Sequence, residues 1–451
     1  MKKTLLFLVL LLTFVAIMTL PYWIGIEVER YFTKGNQNLF NSVNLQLLDN
    51  SYQRGWFTSK AQSTVEVPNN FEITKSAKIS SDNYRFIFEH EIEHGFQPIT
   101  STLIHTSLRT HSESETIQQI ANSNNGLLLD ILTAVQTNGD SVSTLKMPTI
   151  NIRDQNAHLQ WQGLQGHVSI QRNLTQIETE IYSPQIQLET TEGQIVIQNI
   201  FLTATMQPSE MQGKGILNLG KIRLAGQQEL PIQIEGIKLV GENQIVADYL
   251  AYQGQIELQQ IQVGATKYGP SDSHFEFQHW HLPTLNQLKN TWIAIRRQNL
   301  APEMEAKIVQ MRLTPYGLKL LSQSPELAMT HFKFNMPEGE LHGTLHARME
   351  PFEEVFSLLF NPQQVLFKAL NVHLELSVPQ IWLDNQDKDL LAKTSSHIEP
   401  SLKQYLQAWV DKGILILDDN QSNLYHSQMH LKNGILHING QAVPLAILLN
   451  K

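Results

Sequence analysis

Phe57-Thr58-Ser59-Lys60-Ala61-Gln62-Ser63-Thr64-Val65-Glu66-Val67 alternates along its whole length. Phe57, Ser59, Ala61, Ser63, Val65 and Val67 fall on one side, and Thr58, Lys60, Gln62, Thr64 and Glu66 on the other. A strand turns successive side chains to opposite faces, so this pattern predicts a strand with one dry and one wet face. Pro68-Asn69-Asn70 ends it. Upstream, Val43, Leu45 and Leu47 alternate in the same way, and Ser51-Tyr52-Gln53-Arg54-Gly55 reads as a turn. Downstream, Tyr84 to Ile92 and Leu103 to Arg109 are further strands. Glu115 to Asn122 reads as a short helix, and the apolar run Leu127 to Val135 fits strand or helix.

From Val142 to about Trp280 the pattern repeats without a fixed length. Leu145-Lys146-Met147, Ile150-Asn151-Ile152, Val168-Ser169-Ile170, Ile232-Gln233-Ile234, Ile256-Glu257-Leu258 and Ile261-Gln262-Val263 are examples. Gly163, Gly166, Gly193, Gly213, Gly215, Gly236, Gly241 and Gly254 punctuate them and read as turns. Evenly spaced alternating strands predict an antiparallel meander rather than parallel units with crossover helices.

Helices return at Leu282 to Leu300, with Leu285, Leu288, Trp292 and Ile295 on one side, and at Thr314 to Leu321. Strands follow at Met329 to Asn335, Gly339 to Met349 and Leu370 to Leu383. Pro351 to Leu359 and Pro400 to Lys412 read as helical. The latter carries Leu402, Leu406, Trp409 and Val410 inward, with Gly413 as its C-cap. Leu424 to Leu431 and Gly434 to Ile438 close the chain. The expected fold is therefore α+β and mostly β, a long antiparallel meander with a few covering helices. The expected division is 1–41, 42–281 and 282–451, the last boundary resting on the return of helices.

Residues 1–41 stand apart. Leu5 to Ile26 is an almost unbroken apolar run behind Lys2 and Lys3. Roughly 20 apolar residues cross a bilayer as a helix. No small-x-small pair follows the core, as a cleavage site requires, and Tyr22 and Trp23 suit the headgroup level. The reading is a retained signal anchor, with a cleaved signal and a buried helix as alternatives. Ile26, Tyr31, Phe32, Leu39 and Phe40 continue the helical spacing to about Asn41. The two lysines stay on the cytoplasmic side, so the body lies across the membrane.

Composition narrows the classes further. Lys and Arg number 33 against 42 Asp and Glu, a net charge of −9, which argues against nucleic acid as a partner. With no cysteine, disulfides, thiolate metal sites and a cysteine nucleophile are excluded.

His90-Glu91-Ile92-Glu93-His94 fits the zinc-protease pattern H-E-x-x-H. That chemistry needs a helix, where residues i and i+4 share one face. The aromatic alternation of Tyr84 to Phe88 favours strand, which holds the two imidazoles about 13 Å apart. His279-Trp280-His281 puts two histidines on one face of an extended segment, and His342 and His346 share a strand face. Each lacks the third ligand a metal needs, and polar strand positions explain them. Trp56 is a candidate binding residue or a packed strand start. Gly213-Lys214-Gly215 reads as a turn rather than a phosphate loop. No G-x-S-x-G, G-x-G-x-x-G or P-loop occurs. No catalytic, metal or cofactor-binding residue is assigned.

Three stretches resemble the YdgA-like bacterial proteins: Tyr52-Gln53-Arg54-Gly55-Trp56-Phe57-Thr58-Ser59, His94-Gly95-Phe96-Gln97-Pro98, and Leu431 to Gly440 with Pro444-Leu445. The second lacks the proline that follows the glycine in that family. The resemblance implies an inner-membrane-anchored protein facing the periplasm, of a family without an established function. Two expectations follow. One is a non-catalytic envelope protein that offers its β-rich body to a partner or to a second copy. The other is a lipid-binding module sheltering phospholipid on a dry sheet face, as loosely similar AsmA-like envelope proteins suggest.

Overall fold

Alternation dominates the chain, and antiparallel pairing follows from it. The computed structural model describes residues 25–33 (except 27 and 31), 46–67, 84–94, 100–111, 124–153 (except 125), 157–208, 210–226, 230–298 (except 297), 302–352, 362–384, 402–418 and 423–444. Nearly all of the apolar run, Leu5 to Ile24, lies outside the described residues, as do the helix expected at Glu115 to Asn122 and, beyond Phe352, the one expected at Pro351 to Leu359. No helix among the described residues is long and apolar enough to cross a membrane. The chain forms two compact units, Met1–Thr191 with Gln198–Ser209, and Glu192–Ile197 with Glu210–Lys451.

In the first unit, β1 (Gln46–Arg54), β2 (Thr58–Val67), β3 (Tyr84–His94), β4 (Thr100–His111), β5 (Leu127–Gln136) and β6 (Ser141–Met147) pair successively and antiparallel. Ser51 to Arg54, expected as a turn, lie inside β1. Their backbone pairs with Ser59 to Gln62, and only Gly55 to Phe57 remain to make the bend. The run Leu127 to Val135 resolves as strand, because β4 and β6 offer backbone partners on both sides.

Next come β7 (Ile150–Arg153), β8 (Ala157–Trp161), β9 (Leu164–Ile170) and β10 (Ile177–Thr190). β6 with β7, and β8 with β9, behave as two long strands that each break once. One register joins β6 to β9 and β7 to β8, and another joins β10 to β9 and β8. By those registers the breaks coincide, with Pro148 opposite Gly163 and Gly163 opposite Pro184. Gly163 holds φ 89°, and a Cβ there would lie 2.4 Å from Met147 O. The apolar positions change phase at this seam, from Leu145 and Met147 to the buried Ile150 and Ile152.

After β11 (Gly193–Gln207), the second unit continues as β12 (Gln212–Gly226), β13 (Ile232–Val246), β14 (Tyr249–Val263), β15 (Thr266–Tyr268) and β16 (Ser271–His281). Most of the glycines expected as turns sit inside these strands: Gly213 and Gly215 in β12, Gly236 and Gly241 in β13, and Gly254 in β14. At Gly236, Gly241 and Gly254 the Gln259, Tyr252 and Phe275 side chains occupy the missing Cβ positions. Gly215, Gly241 and Gly254 oppose one another across three strands, and Gly254 opposes Phe275. The Phe275 ring covers Gly254, and the Tyr252 hydroxyl lies over Gly241. Tyr252, Phe275, Phe277 and Trp280 form one aromatic cluster, with neighbouring centroids 5.9–6.1 Å apart.

Two helices, α1 (Leu282–Arg296) and α2 (Pro302–Leu321), pack on each other before β17 (Glu326–Met336) resumes the sheet. α2 starts well before the expected Thr314 and carries Pro315 internally. β18 (Gly339–Met349), α3 (Pro362–Ala369) and β19 (Leu370–Pro379) follow. Beyond Pro379 the chain turns into α4 (Gln380–Asp384), so Ile381 to Leu383 are helical rather than part of the strand expected to Leu383. Then come α5 (Leu402–Asp411), β20 (Ile416–Leu417), β21 (Leu424–Lys432), β22 (Ile435–Ile438) and β23 (Gln441–Val443). Gly413 takes φ 70° behind α5, the C-cap that its position predicted. Leu406 packs with Leu341, Val378, Leu383 and Leu415. Trp409 touches this cluster and the neighbouring one of Ile414, Met429, Leu431, Leu436 and Ile438. Each buried aliphatic side chain contributes about 1.5–3 kcal/mol, and this is the best-packed region described.

Candidate functional site

The dry face of β2 is built from small residues. Ser59, Ala61, Ser63 and Val65 are all buried. Small side chains let another element approach closely, and the helical residues around Gly25 to Thr33 do so. A Cβ on Gly25 would lie 3.1 Å from His94 Nε2. Phe32 meets Tyr52 at 5.7 Å and His90 edge-on at 5.0 Å between centroids. Arg54 pairs with Glu29 at 3.1 Å.

At the centre, Ser59 Oγ and His94 Nε2 are 2.7 Å apart. The His94 backbone N–H donates to Phe57 O at 2.7 Å, and Gly55 N–H reaches Ser59 Oγ at 3.4 Å. A Cβ on Gly55 would lie 2.1 Å from Thr58 O, so the bend demands glycine. Thus Tyr52, Arg54, Gly55, Phe57, Ser59 and His94, separated in the sequence into two turn-like motifs, converge on one cluster. A serine hydroxyl bonded to an imidazole is the geometry of a nucleophile and its base. Here both residues are only 2% exposed, and His94 Nδ1 is buried without a partner among the described residues. An attacking hydroxyl must reach a substrate and its base needs an orienting acid. The pair instead closes the hairpin onto β3 and satisfies two buried polar groups.

His90 stands two pleats along on the same face of β3, its Nδ1 2.8 Å from Thr106 Oγ1. Burial lowers the His90 pKa to about 4 and lowers that of His94 as well. The Tyr52 phenol is pushed up by burial, with Glu29 adding to the shift while Ser59 and Arg54 oppose it. Glu91 points to the other face of β3 and pairs with Lys60 at 3.6 Å. The strand reading of His90 to His94 therefore holds. The histidines have separate hydroxyl partners, and the glutamate is on the opposite side of the sheet.

That opposite side holds an open groove of about 500 Å³, lined by Lys60, Glu89, Glu91, His105 and Arg109 among others. Its ionic side chains are paired, Arg109 with Glu89 at 2.7 Å and Lys60 with Glu91 at 3.6 Å, and His105 Nε2 hydrogen-bonds Asp130. The His279 and His281 rings both lie against Tyr249, with centroids 6.2 and 5.6 Å from its ring. His279 takes φ 57° at a register shift, and His281 turns to Thr284 at 2.8 Å at the start of α1. His342 and His346 lie near Glu340 and Glu326 respectively. Gly213 to Gly215 are strand, and Trp56 is 49% exposed at the hairpin bend. Among the described residues no group of three or more His, Asp or Glu side chains is placed to hold a metal ion.

The second unit adds a surface that alternation alone could not reveal. Leu217, Leu239 and Ile256 stand in one cross-strand row, and Leu219, Ile237 and Leu258 in the next, with no charge between them. The reverse face carries Lys238 paired with Glu257 at 2.9 Å. Of the described residues from Gly193 to Val263, only Gly254 and Val263 are buried. Of the six aliphatic side chains in these rows, Ile256 is exposed and the other five are half-buried.

No curated protein and no solved structure matches the chain. The family model DUF945, whose description is a bacterial protein of unknown function, matches residues 1–446. The chain, apolar rows and buried serine–histidine pair included, belongs to the DUF945 family of bacterial proteins.

Proposed function

We propose that this is a membrane-tethered, non-catalytic envelope protein. Its apolar rows on β12–β14 receive a partner chain or a second copy of itself. The observation that carries this reading is the exposure of Ile256, 41%, at the end of a charge-free aliphatic row. A folded domain rarely leaves contiguous apolar rows to water unless something docks there. The apolar run Leu5 to Ile26 behind two lysines supports the tether, and the similarity to YdgA-like proteins supports a periplasmic body. The test is a photo-crosslinking residue at Ile256 in the full chain in cells, with Gln255 on the reverse face as control. A defined protein adduct at 256 and none at 255 is expected. Equal or absent labelling at both positions overturns the reading.

A second reading is favoured by the chemistry of the same rows. Leu, Ile and Gly without a charged neighbour suit acyl chains as well as protein side chains. In that case the adduct at 256 is lipid, and phospholipid co-purifies in a fixed ratio to the chain.

A further inference from the structure

The helical hairpin of α1 and α2 differs in charge from the rest of the chain. Residues 282–321 hold six basic and two acidic side chains, a net +4, in a chain whose net charge is −9. The chain outside the hairpin therefore sums to −13. Glu305, one of the two acids, is taken up by Arg296 of α1 at 3.1 Å, and that guanidinium also lies 4.8 Å over the Trp292 ring.

α2 is apolar on two sides. Leu320 is buried, and the half-buried Val309, Leu313 and Tyr316 stand within about 40° of it around the helix axis. The opposite side is centred on Met304 and Met311, seven residues apart, which are 54% and 68% exposed. Among the described residues Met311 is the most exposed large apolar side chain. Lys307 flanks the two methionines on one side of the helix, and Arg312 and Lys319 flank them on the other. All three cations are exposed and stand outside the ion pairs formed among the described residues. A helix face that only meets water gains nothing from two methionines at its centre. An apolar strip bordered by Lys and Arg is what a helix presents when it lies in a membrane interface.

We propose that the outward face of α2 docks on an anionic phospholipid surface. Met304 and Met311 enter the acyl boundary, and Lys307, Arg312 and Lys319 meet the headgroup phosphates. Charge complementarity selects this occupant: the hairpin is attracted to such a surface and the acidic remainder of the chain is repelled by it. A nucleic-acid backbone offers phosphates to the same cations but nothing apolar to the methionines between them. The contact is separate from the rows on β12–β14 and does not depend on what they bind.

The test uses the full chain in nanodiscs of neutral phosphatidylcholine, with Met311→Cys as its single thiol carrying an environment-sensitive fluorophore. Vesicles containing phosphatidylglycerol and acyl-chain spin label are added, and the label is also read in nanodiscs that themselves contain both lipids. A blue shift with quenching by the spin label is expected with anionic lipid and not with phosphatidylcholine alone. Lys307→Gln and Lys319→Gln each weaken docking by about fivefold, the share of one basic residue near an anionic surface. Lys432→Gln, an exposed lysine of the C-terminal strands, leaves it unchanged. Raising salt from about 0.1 to about 1 M shortens the screening length from about 10 to about 3 Å and releases the helix. No quenching in either arrangement, equal quenching by neutral and anionic lipid, or indifference to both lysine substitutions overturns the proposal. An equal blue shift on a DNA duplex overturns lipid as the occupant. If a substituted chain fails to fold, hydrogen exchange of the unsubstituted chain decides. Slower exchange in α2 with anionic but not neutral lipid supports the contact, and unchanged exchange refutes it.

Discussion

Tyr268 and Phe334 stack with ring centroids 6.4 Å apart and planes within 12°, although strict alternation assigns them to opposite faces. Phe334 opposes Ser271, three residues beyond Tyr268. Gly269, at φ 99°, and Pro270 lie between and shift the phase. By register the same line runs through Gln259 to Gly236, which holds φ 64°. One apolar side therefore continues through a seam at which the apolar positions change from Ile237 and Leu239 to Ile232 and Ile234.

Gly236→Ala tests that seam. A Cβ in the left-handed region costs about 1–2 kcal/mol, and here it also meets the Gln259 side chain at 2.3 Å. Urea unfolding followed by tryptophan fluorescence should show a loss of about that size. Adding Gln259→Ala should remove the steric part and leave the backbone part.

Gly254→Ala should destabilise the second unit by about 1–3 kcal/mol, the usual cost of overpacking. The new methyl falls 2.2 Å from Phe275 Cζ. In a Phe275→Leu background the penalty should shrink, and a double-mutant cycle of thermal midpoints measures the coupling. Simple additivity would show that the ring does not cover the glycine.

Ser59→Ala strands a buried imidazole. His94 then has neither ring nitrogen paired among the described residues. The expected cost is about 1–3 kcal/mol in denaturant unfolding. Ser59→Thr, which keeps the hydroxyl, should recover part of it if the β2 face accepts a methyl.

His90 makes stability depend on pH. Its folded pKa, about 4, lies below the ordinary imidazole value because burial penalises the charged form. The folded state then binds fewer protons than the unfolded chain between about pH 6.5 and 4. Stability is fully present above that window and falls as pH drops through it, by up to about 3 kcal/mol. His94 acts in the same direction. His90→Gln should flatten the unfolding free energy measured from pH 7.5 to 4.5. An unchanged slope would show that another group carries the dependence.

Trp409→Ala should cost about 3 kcal/mol, because the indole packs against both C-terminal clusters. A change below about 0.5 kcal/mol, the range for surface sites, would contradict that packing.

Period-two alternation in stretches such as Ser59 to Val65 determined that the chain would be a half-buried antiparallel meander, since that pattern follows from the pleat itself. The same reasoning placed His90 and His94 on a strand, and set α5 with its inward Leu406 and Trp409 ahead of Gly413. Alternation is a local property, so it could not say which strand lies beside which. Only the register brought Ser59 to His94 and put Phe275 over Gly254. For that reason glycines that look like turns in the sequence are interior strand positions in the fold. At Gly236, Gly241 and Gly254 the missing side chains are supplied by residues far along the chain, which local pattern does not encode.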